Sequence, residues 1–268
     1  CHHCGTIHRM PEHCPQCQHS ELKPIGLGTA KVEENLQALF PNFDVIRVDR
    51  DSTSRVGSWQ KIYNKIQKSE PIILLGTQML AKGHHFPYVT LVAILDIDSG
   101  LLSVDFRATE RTAQLIIQVA GRAGRGEKKG EVYLQTLRPD HPLLNTLLES
   151  GYRSFAKQTL KERKAAWMPP YRYAALLRCE SKDQELNQSF LQEHAQALRQ
   201  ASENSIDIWG PISAPMERKA GRYQAHMVLL SKDRARMHFY IRQWWQNVWH
   251  NKPHGMKLSL DIDPQELS

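Results

Sequence analysis

Residues 71–95 read PIILLGTQMLAKGHHFPYVTLVAIL and decide the fold of the first half of the chain. The apolar runs at 72–76 and 89–95 lack the alternation of a half-buried strand. They therefore predict strands that are buried on both faces of a parallel sheet. Further strands are predicted at 45–48 and 131–136, and helices at 33–40, 59–66 and 110–123. Strands that alternate with helices indicate βαβ units, an α/β fold with a parallel sheet and flanking helices. Ligands of such sheets bind at the carboxyl ends of the strands.

The second half of the chain predicts a separate α+β domain. A charged helix at 143–167 should stop at Met168-Pro169-Pro170, and we place the domain boundary near there. Beyond it, the sequence predicts strands at 174–179, 227–230 and 257–263, helices at 184–202 and 234–249, and a turn at Gly210-Pro211. This is a βαββαβ-like order, typical of a small sandwich, and we find no internal repeat.

Composition narrows the class of protein. The chain has 268 residues and a formal charge of +7, of which residues 151–268 carry +6 and residues 1–150 only +1. A basic domain indicates a phosphate backbone or an acidic peptide as partner, and solubility alone is the alternative. Neither a signal peptide nor an apolar stretch of the ~18–20 residues that span a membrane is present.

Basic clusters near aromatic residues lie in the second domain, at 217–223 and 232–236. They suit single-stranded DNA, through backbone charge and base stacking, and they equally suit an acidic peptide. A solvated surface is the third interpretation. The tryptophans Trp244, Trp245 and Trp249 are spaced for core packing, which we favour over stacking.

Four of the five cysteines form two C-x2-C pairs at the N-terminus, and nine residues separate the pairs. Such pairs predict a structural Zn²⁺ site, because two thiolate knuckles complete a tetrahedron and leave no open position. The ligands would be Cys1, Cys4, Cys14 and Cys17. Because the chain starts with a cysteine of this motif, we expect the natural protein to begin earlier. Cys179 stands in an apolar run and is predicted to be a buried strand residue without function.

Residues 118–125 read QVAGRAGR, and their pattern Q-x-x-G-R-x-G-R resembles motif VI of superfamily 2 helicases. The resemblance implies a role in phosphoryl transfer, in which guanidinium groups stabilise the charge that develops on the γ-phosphoryl oxygens. Arg122 and Arg125 are three residues apart and are therefore spaced to face one cleft. We choose Arg125 as the arginine finger, Arg122 as a second phosphate ligand and Gln118 as the residue that positions them. An ordinary helix with solvated arginines is disfavoured by its two glycines.

Residues 76–87 lie between two predicted strands and resemble motif V of the same superfamily, in the form found in the PriA family of replication-restart helicases. By this resemblance Thr77, Gln78 and Lys82 hold DNA phosphates, and Gly83 brings the backbone close to nucleotide or DNA.

Two weaker stretches match the same family. The segment with Gly28 and Thr29 resembles its G-x-G-T-E pattern and is a candidate for nucleotide or DNA contact, although Ala30 stands where glutamate is expected. Asp96 and Asp98 follow a predicted strand, and we interpret them as a strand-end cap in preference to a Mg²⁺ site. The segment 105–107, Asp-Phe-Arg, also fits the family pattern.

The resemblance to the PriA family extends over the whole chain and implies its organisation. Zinc knuckles at 1–24 would precede a RecA-like helicase lobe 2 at 25–150. A linker helix at 151–169 and an α+β C-terminal domain at 170–268 would follow. The family has two zinc sites with more knuckles than this chain has, so the cysteine pairs serve either one ion together or two ions separately.

The resemblance also implies a function. It implies an ATP- and Mg²⁺-dependent 3′–5′ DNA helicase of the bacterial cytoplasm that remodels stalled forks and initiates primosome assembly. Expected partners are forked and single-stranded DNA, other primosome proteins, and single-stranded-DNA-binding protein, whose acidic tail would meet Arg234. The chain has no G-x-x-x-x-G-K-[ST] phosphate loop, so we expect it to be inactive alone. The alternatives are another superfamily 2 translocase and a non-enzymatic zinc-containing DNA-binding scaffold.

Overall fold

The computed structural model of the chain divides into two compact units. The first comprises described residues of 11–103 together with 109–154, and the second comprises 105–108 together with 155–267. The residues that the structure describes are 11–14, 16–18, 20, 28–48, 58–66, 71–77, 89–103, 105–121 and 130–267.

Parallel strand pairs form the framework of the first unit. Strand β1 (Asp44–Val48) pairs with β2 (Ile72–Gly76), and β3 (Leu91–Ile94) pairs with β4 (Glu131–Leu134). The predicted strands and their parallel direction are thus confirmed. Their predicted burial on both faces is wrong, because β2 is only half-buried and β3 alternates exposed and half-buried residues. The prediction of one continuous sheet is not met within the described residues, where the pairs form two separate two-stranded sheets.

Helices alternate with these strands as the sequence predicts. The first unit contains α1 (Thr29–Leu39), α2 (Ser58–Ile66), the short α3 (Asp98–Leu101) and most of α4 (Ala108–Ala120). Helix α4 buries Ala113 and Ile116, which stand three residues apart and therefore share a face. That face sets the orientation of the polar residues at the end of the helix.

Helix α5 (Pro142–Ala165) runs from the first unit into the second and is interrupted at Gly151. Gly151 has φ 75° and ψ 175°, a backbone conformation that is strained for residues with a Cβ. The helix ends before Met168-Pro169-Pro170, where the sequence predicts its end.

The second unit is a four-stranded antiparallel sheet with two helices. Its elements are β5 (Tyr173–Ser181), α6 (Gln184–Ala201), β6 (Asp207–Lys219), β7 (Arg222–Ser231), α7 (Arg234–His250) and β8 (Lys257–Ile262). The strand order is β6-β7-β5-β8. This matches the predicted βαββαβ-like order, although β6 was not among the strands predicted individually.

Both faces of the central strands are buried. Alternate residues of β5 and β7 pack with α6 and α7 in the main core, among them Leu177 and Leu229. The residues between them, Leu176 and Leu230, belong to a smaller cluster with Leu267. Cys179 lies in the main core, and burial raises the pKa of its thiol to about 12. The interpretation of Cys179 as a buried strand residue is therefore confirmed.

The predicted turn at Gly210-Pro211 is wrong, because both residues lie inside β6. The pairing of β6 with β7 shifts register between Trp209 and Ile212, which marks a β-bulge. Gly210 has φ +106°, and a Cβ there would lie 2.9 Å from the His226 carbonyl oxygen, so glycine is required. Proline is tolerated because β6 is an edge strand, where one missing N–H breaks no inner ladder.

One three-residue segment occurs twice in the second unit, each time between a strand and a helix. Residues 181–183 and 231–233 both read Ser-Lys-Asp and precede α6 and α7. In each copy the serine hydroxyl accepts a hydrogen bond from the aspartate N–H, at 3.0 and 3.2 Å respectively. The aspartate carboxylate then accepts from the N–H of Leu186 or Arg236, at 3.2 and 3.0 Å. Both helices thus begin with the same N-cap.

In the part of the chain that the structure describes, no helix combines the length and the apolar character needed to cross a membrane.

Candidate functional site

Two of the predicted motor residues are described, and both are exposed at the ends of elements. Thr77 directly follows β2, and Gln118 lies in the last turn of α4. Thr77 thus lies at the carboxyl end of a strand, where parallel sheets bind ligands, whereas Gln118 lies at the carboxyl end of a helix. The other motor residues lie outside the described residues, namely Gln78, Lys82, Gly83, Arg122 and Arg125.

Gly121 follows α4 directly, and its N–H donates to the Ile117 carbonyl oxygen at 3.0 Å. A Cβ on Gly121 would approach that same oxygen to 3.4 Å, which is ordinary contact. Within the described residues no second backbone comes close to Gly121. The described neighbours of Gly121 therefore do not require glycine at this position.

Gly28 and Thr29 form the start of α1. The Gly28 carbonyl oxygen accepts from the N–H groups of Lys31 and Val32 at 2.9 and 3.2 Å, which makes Gly28 the N-cap residue. Its φ of −58° suits any residue, and a Cβ would meet nothing within 4 Å. The local backbone therefore does not require glycine, and the predicted ligand contact of these residues remains a prediction.

Asp98 acts as a strand-end cap. Its carboxylate accepts hydrogen bonds from the Thr136 hydroxyl at 2.6 Å and from the Leu137 N–H at 2.7 Å. The Leu137 N–H and then the Thr136 hydroxyl lower the pKa of Asp98 below its ordinary value. The carboxylate thereby ties the end of β4 to α3.

Asp96 is engaged in the same region. Its carboxylate accepts from the Ser99 N–H at 3.3 Å and also from the Ser99 hydroxyl. The Gln135 side-chain oxygen in turn accepts from the Asp96 N–H at 3.3 Å. Both aspartates thus have local hydrogen-bond partners, as the cap interpretation predicts.

The segment Asp105-Phe106-Arg107 is part of the second unit, where it meets residues near position 265. The Asp105 carboxylate accepts from the Leu267 N–H at 3.2 Å, and Arg163 donates to the Phe106 carbonyl oxygen at 3.1 Å. The Arg163 guanidinium also lies 5.0 Å from the centre of the Phe106 ring. This segment therefore has a structural role that the sequence analysis did not assign.

Cys14 and Cys17 form a tight turn of the kind that metal-binding knuckles use. The Gln18 N–H donates to the Cys14 carbonyl oxygen at 2.8 Å. Hydrogen bonds from the N–H groups of Cys17 and Gln16 lower the pKa of the Cys14 thiol, which favours the thiolate that binds metal. The pair therefore fits half of a tetrahedral zinc site. Cys1 and Cys4 lie outside the described residues, and no group of three metal ligands occurs within them.

Arg234 is exposed at the first turn of α7. Its guanidinium lies 3.4 Å from the Asp263 carboxylate and 5.9 Å from the centre of the Tyr173 ring. Because 60% of its side chain is exposed, a second carboxylate has access to it. An acidic peptide would compete there with Asp263.

The basic cluster at 217–223 is divided between structure and surface. It forms the β6–β7 hairpin, in which Arg218 is exposed and its guanidinium lies 5.1 Å from the Tyr223 ring centre. Arg222 is half-buried and donates to the Glu180 carbonyl oxygen at 3.0 Å. Arg218 can therefore meet a ligand, whereas Arg222 holds the hairpin.

The tryptophans of α7 have three different environments. Trp244 is buried and donates to the His194 carbonyl oxygen at 2.9 Å, as the core prediction requires. Trp245 is half-buried against the main core. Trp249 is 49% exposed, so the core prediction is wrong for this residue.

Comparison with known proteins identifies both halves of the chain. The family described as "Helicase conserved C-terminal domain" matches residues 27–127, and "Primosomal protein N C-terminal domain" matches residues 164–265. A protein named replication restart protein PriA, from Haemophilus influenzae, is 46% identical over the whole chain. Two further proteins of the same name are 35% identical to it. The one from Rickettsia felis matches 100% of the chain and the one from Bacillus subtilis matches 98%.

The chain belongs to the PriA family. It spans 37% of the length of the Haemophilus relative, 41% of the Rickettsia relative and 33% of the Bacillus relative. The helicase match encloses Thr77, Gln118, Arg122 and Arg125. The match to the PriA C-terminal domain encloses Arg234 and all six elements of the βαββαβ unit. The cysteine pairs lie outside both matches.

Proposed function

We propose that this chain is the second motor lobe and C-terminal domain of an ATP-dependent DNA helicase that acts in replication restart. One observation carries the proposal: the helicase match over 27–127 encloses the Q-x-x-G-R-x-G-R pattern at 118–125. That pattern supplies the charge that phosphoryl transfer needs. The relatives' printed name, replication restart protein, supports the process.

The arginine pair contributes electrostatic stabilisation. Arg125 serves as the finger on the transferring phosphoryl group and Arg122 as a second phosphate ligand, because guanidinium is always charged and binds oxygens in pairs. Gln118, exposed at the end of α4, helps to position them. A lobe outside this sequence supplies the phosphate loop that holds ATP and Mg²⁺, so the chain alone hydrolyses no ATP and unwinds no DNA.

DNA contacts would come from residues that follow the strands. Thr77, Gln78 and Lys82 offer a hydroxyl, an amide and an ammonium to DNA phosphates. Gly83 and the segment at 28–29 provide backbone donors near nucleotide or DNA. The intact protein would translocate 3′ to 5′, remodel stalled forks in the bacterial cytoplasm and load other primosome proteins.

The C-terminal domain would recruit a partner protein as well as DNA. Its exposed Arg234 is available to the carboxylate tail of single-stranded-DNA-binding protein. The net charge of +6 on residues 151–268 supports an acidic or phosphate-bearing partner.

Structural zinc completes the proposal. The lowered thiol pKa of Cys14 supports metal binding by Cys14 and Cys17, and Cys1 and Cys4 offer two further thiolates. Either the four thiolates share one ion or the two pairs serve different ions. Metal counting on this chain and on a longer natural chain separates these cases. Two zincs in the longer chain that both survive truncation would eliminate the split arrangement.

The decisive experiment adds the missing lobe. The longer natural chain is assayed for ATPase activity on forked DNA at fixed salt, as wild type, Arg125→Ala and Arg138→Ala. Arg138 is an exposed arginine outside the motif and serves as the matched control. We expect Arg125→Ala to lose about 10²-fold or more, as for other phosphoryl-transfer arginines, and Arg138→Ala to keep its activity.

Other outcomes redirect the proposal. Equal activity of all three proteins would move the finger to Arg122. No activity with DNA and ATP present would favour the zinc-containing scaffold. DNA-stimulated activity without preference for forks that carry a bound 3′ end would favour another superfamily 2 translocase.

A further inference from the structure

The sequence of α7 and of the segment after it carries charge of one sign, although Arg234 and Arg236 pair with carboxylates just outside it, those of Asp263 and Asp233. Residues 234–260 contain no aspartate or glutamate, and they include five arginine or lysine residues. These are Arg234, Arg236, Arg242, Lys252 and Lys257. Such a stretch attracts a polyanion through long-range electrostatics, independently of any single contact.

Two tryptophans of α7 lie within this charged stretch, one helical turn apart. The ring centres of Trp245 and Trp249 are 5.7 Å apart, and their planes are inclined by 46°. Trp249 is 49% exposed, while Trp245 is half-buried and rests on the main core. The core therefore anchors one ring, and the second ring extends the aromatic surface outward.

A cation adjoins the exposed ring. The Lys252 ammonium lies 4.5 Å from the centre of the Trp249 ring. Arg242, which is exposed, precedes Trp245 by three residues and so lies on the same side of the helix. Positive charge thus lies on both sides of the aromatic pair along the chain.

The tryptophan pair also lines a shallow depression of about 270 Å³, together with Gln246 and His250. His250 Nδ1 lies 2.7 Å from the Gln246 carbonyl oxygen and donates to it, which holds the imidazole against the helix. Single exposed aromatic residues are common on protein surfaces and carry no message. A tryptophan pair beside an open depression, with cations and no carboxylate along the stretch, is a more specific combination.

We propose that Trp245, Trp249 and Lys252, here called the α7 platform, bind single-stranded DNA by stacking on its bases. Aromatic faces accept any base, and the neighbouring cations follow the phosphate backbone without sequence preference. An acidic peptide is the less suitable occupant. It would place its carboxylates against aromatic faces, which carry negative partial charge. The platform rests on the proposed function only in taking the nucleic acid to be DNA.

Binding of a fluorescent oligo(dT) of about 15 nucleotides to the 268-residue chain tests the platform without ATP. We expect Trp249→Ala to weaken the affinity about tenfold and Trp249→Phe to retain most of it, because stacking needs an aromatic face. Lys252→Gln should make the negative slope of log affinity against log salt shallower by about 0.7, because one phosphate contact is lost. Trp209→Ala is the matched control. Trp209 is also a tryptophan and is 46% exposed, and it pairs with Val228, which belongs to the smaller cluster of the sheet and not to the main core beneath α6 and α7.

Three results would overturn the platform. The first is that the wild type does not bind oligo(dT), and the second is that Trp249→Ala and Trp209→Ala bind it with equal affinity. The third is that Trp249→Ala loses more affinity for a labelled oligoglutamate peptide than for oligo(dT). Thermal melting verifies that each variant is folded. If Trp249→Ala does not fold, Trp249→Phe and Lys252→Gln still test the platform. A failed platform alongside DNA-stimulated ATPase activity in the longer chain would leave the proposed function intact. A platform that binds oligo(dT) as expected, alongside a longer chain without DNA-stimulated ATPase activity, would contradict the helicase proposal alone.

Discussion

Helices α6 and α7 differ on the outside although they are built alike on the inside. Each follows a Ser-Lys-Asp cap and contributes apolar residues to one core, such as Leu198 from α6 and Ile241 from α7. On its exposed side α6 carries glutamates such as Glu193 and glutamines. The exposed side of α7 has arginines and Trp249 instead. Packing constrains the inner faces of both helices, whereas the outer faces are free to serve a ligand.

The largest expected effect is a loss of stability on removal of core packing, and it should be similar in the two helices. Leu198→Ala in α6 and Ile241→Ala in α7 should each lower the free energy of unfolding by about 2–5 kcal/mol, because each leaves a cavity in a close-packed core. Urea denaturation of the two variants measures this loss. If only one variant is destabilised, the helices do not share the core as equals.

Removal of the shared cap should have a smaller effect, again similar in both helices. Asp183→Ala and Asp233→Ala each lose the carboxylate that accepts the Leu186 or Arg236 N–H, which should cost about 1 kcal/mol. Asp183→Asn and Asp233→Asn are the controls, since asparagine also caps helices. A loss with asparagine as large as with alanine would show that the cap hydrogen bond is not the cause.

Low pH should destabilise the protein through His194, a buried histidine on the inner face of α6. Burial lowers the pKa of His194, and the nearby Glu193 opposes this only in part. The unfolded chain therefore takes up the proton first, and the free energy of unfolding should begin to fall as the pH drops below about 6.5. Burial also lowers the pKa of His226 in β7, so both residues contribute with the same sign.

Urea denaturation of wild type and His194→Gln between about pH 7 and pH 5 measures this slope. The variant should show a shallower pH dependence than the wild type, whatever its stability at pH 7. An unchanged slope would assign the acid sensitivity to other groups.

The smallest expected effects on stability concern the outer faces, and these sharpen the comparison most. Glu193→Gln in α6 and Trp249→Phe in α7 should change the free energy of unfolding by less than about 0.5 kcal/mol, as most surface substitutions do. Neither of these two changes should weaken oligo(dT) binding appreciably, whereas Trp249→Ala, which removes an aromatic face of α7, should weaken it. If Glu193→Gln strengthens binding as much as Trp249→Ala weakens it, net charge alone governs the contact.

Hydrophobic periodicity and residue chemistry predicted most elements of the fold, but not strand β6 or the short helix α3. The strands at 72–76 and 91–94 follow from unbroken apolar runs, and the end of α5 follows from its two prolines. The cap role of Asp96 and Asp98 was also the preferred interpretation before their partners were known. By contrast, Gly210-Pro211 has the composition of a turn, and only its pairing with β7 turns it into a bulge within a strand.

The sequence by itself indicated the α/β and βαββαβ-like order of elements, the metal-type cysteine pairs and the helicase-like pattern of residues 118–125. These properties depend on neighbours within a few residues, and the chain displays them directly. Tertiary structure decided which polar groups are already occupied and which aromatic rings remain free. Asp98 is satisfied by Thr136 and Leu137, nearly forty residues away. The spacing of the α7 tryptophans did not show that Trp249 remains exposed while Trp244 is buried, because burial depends on contacts between residues distant in the chain.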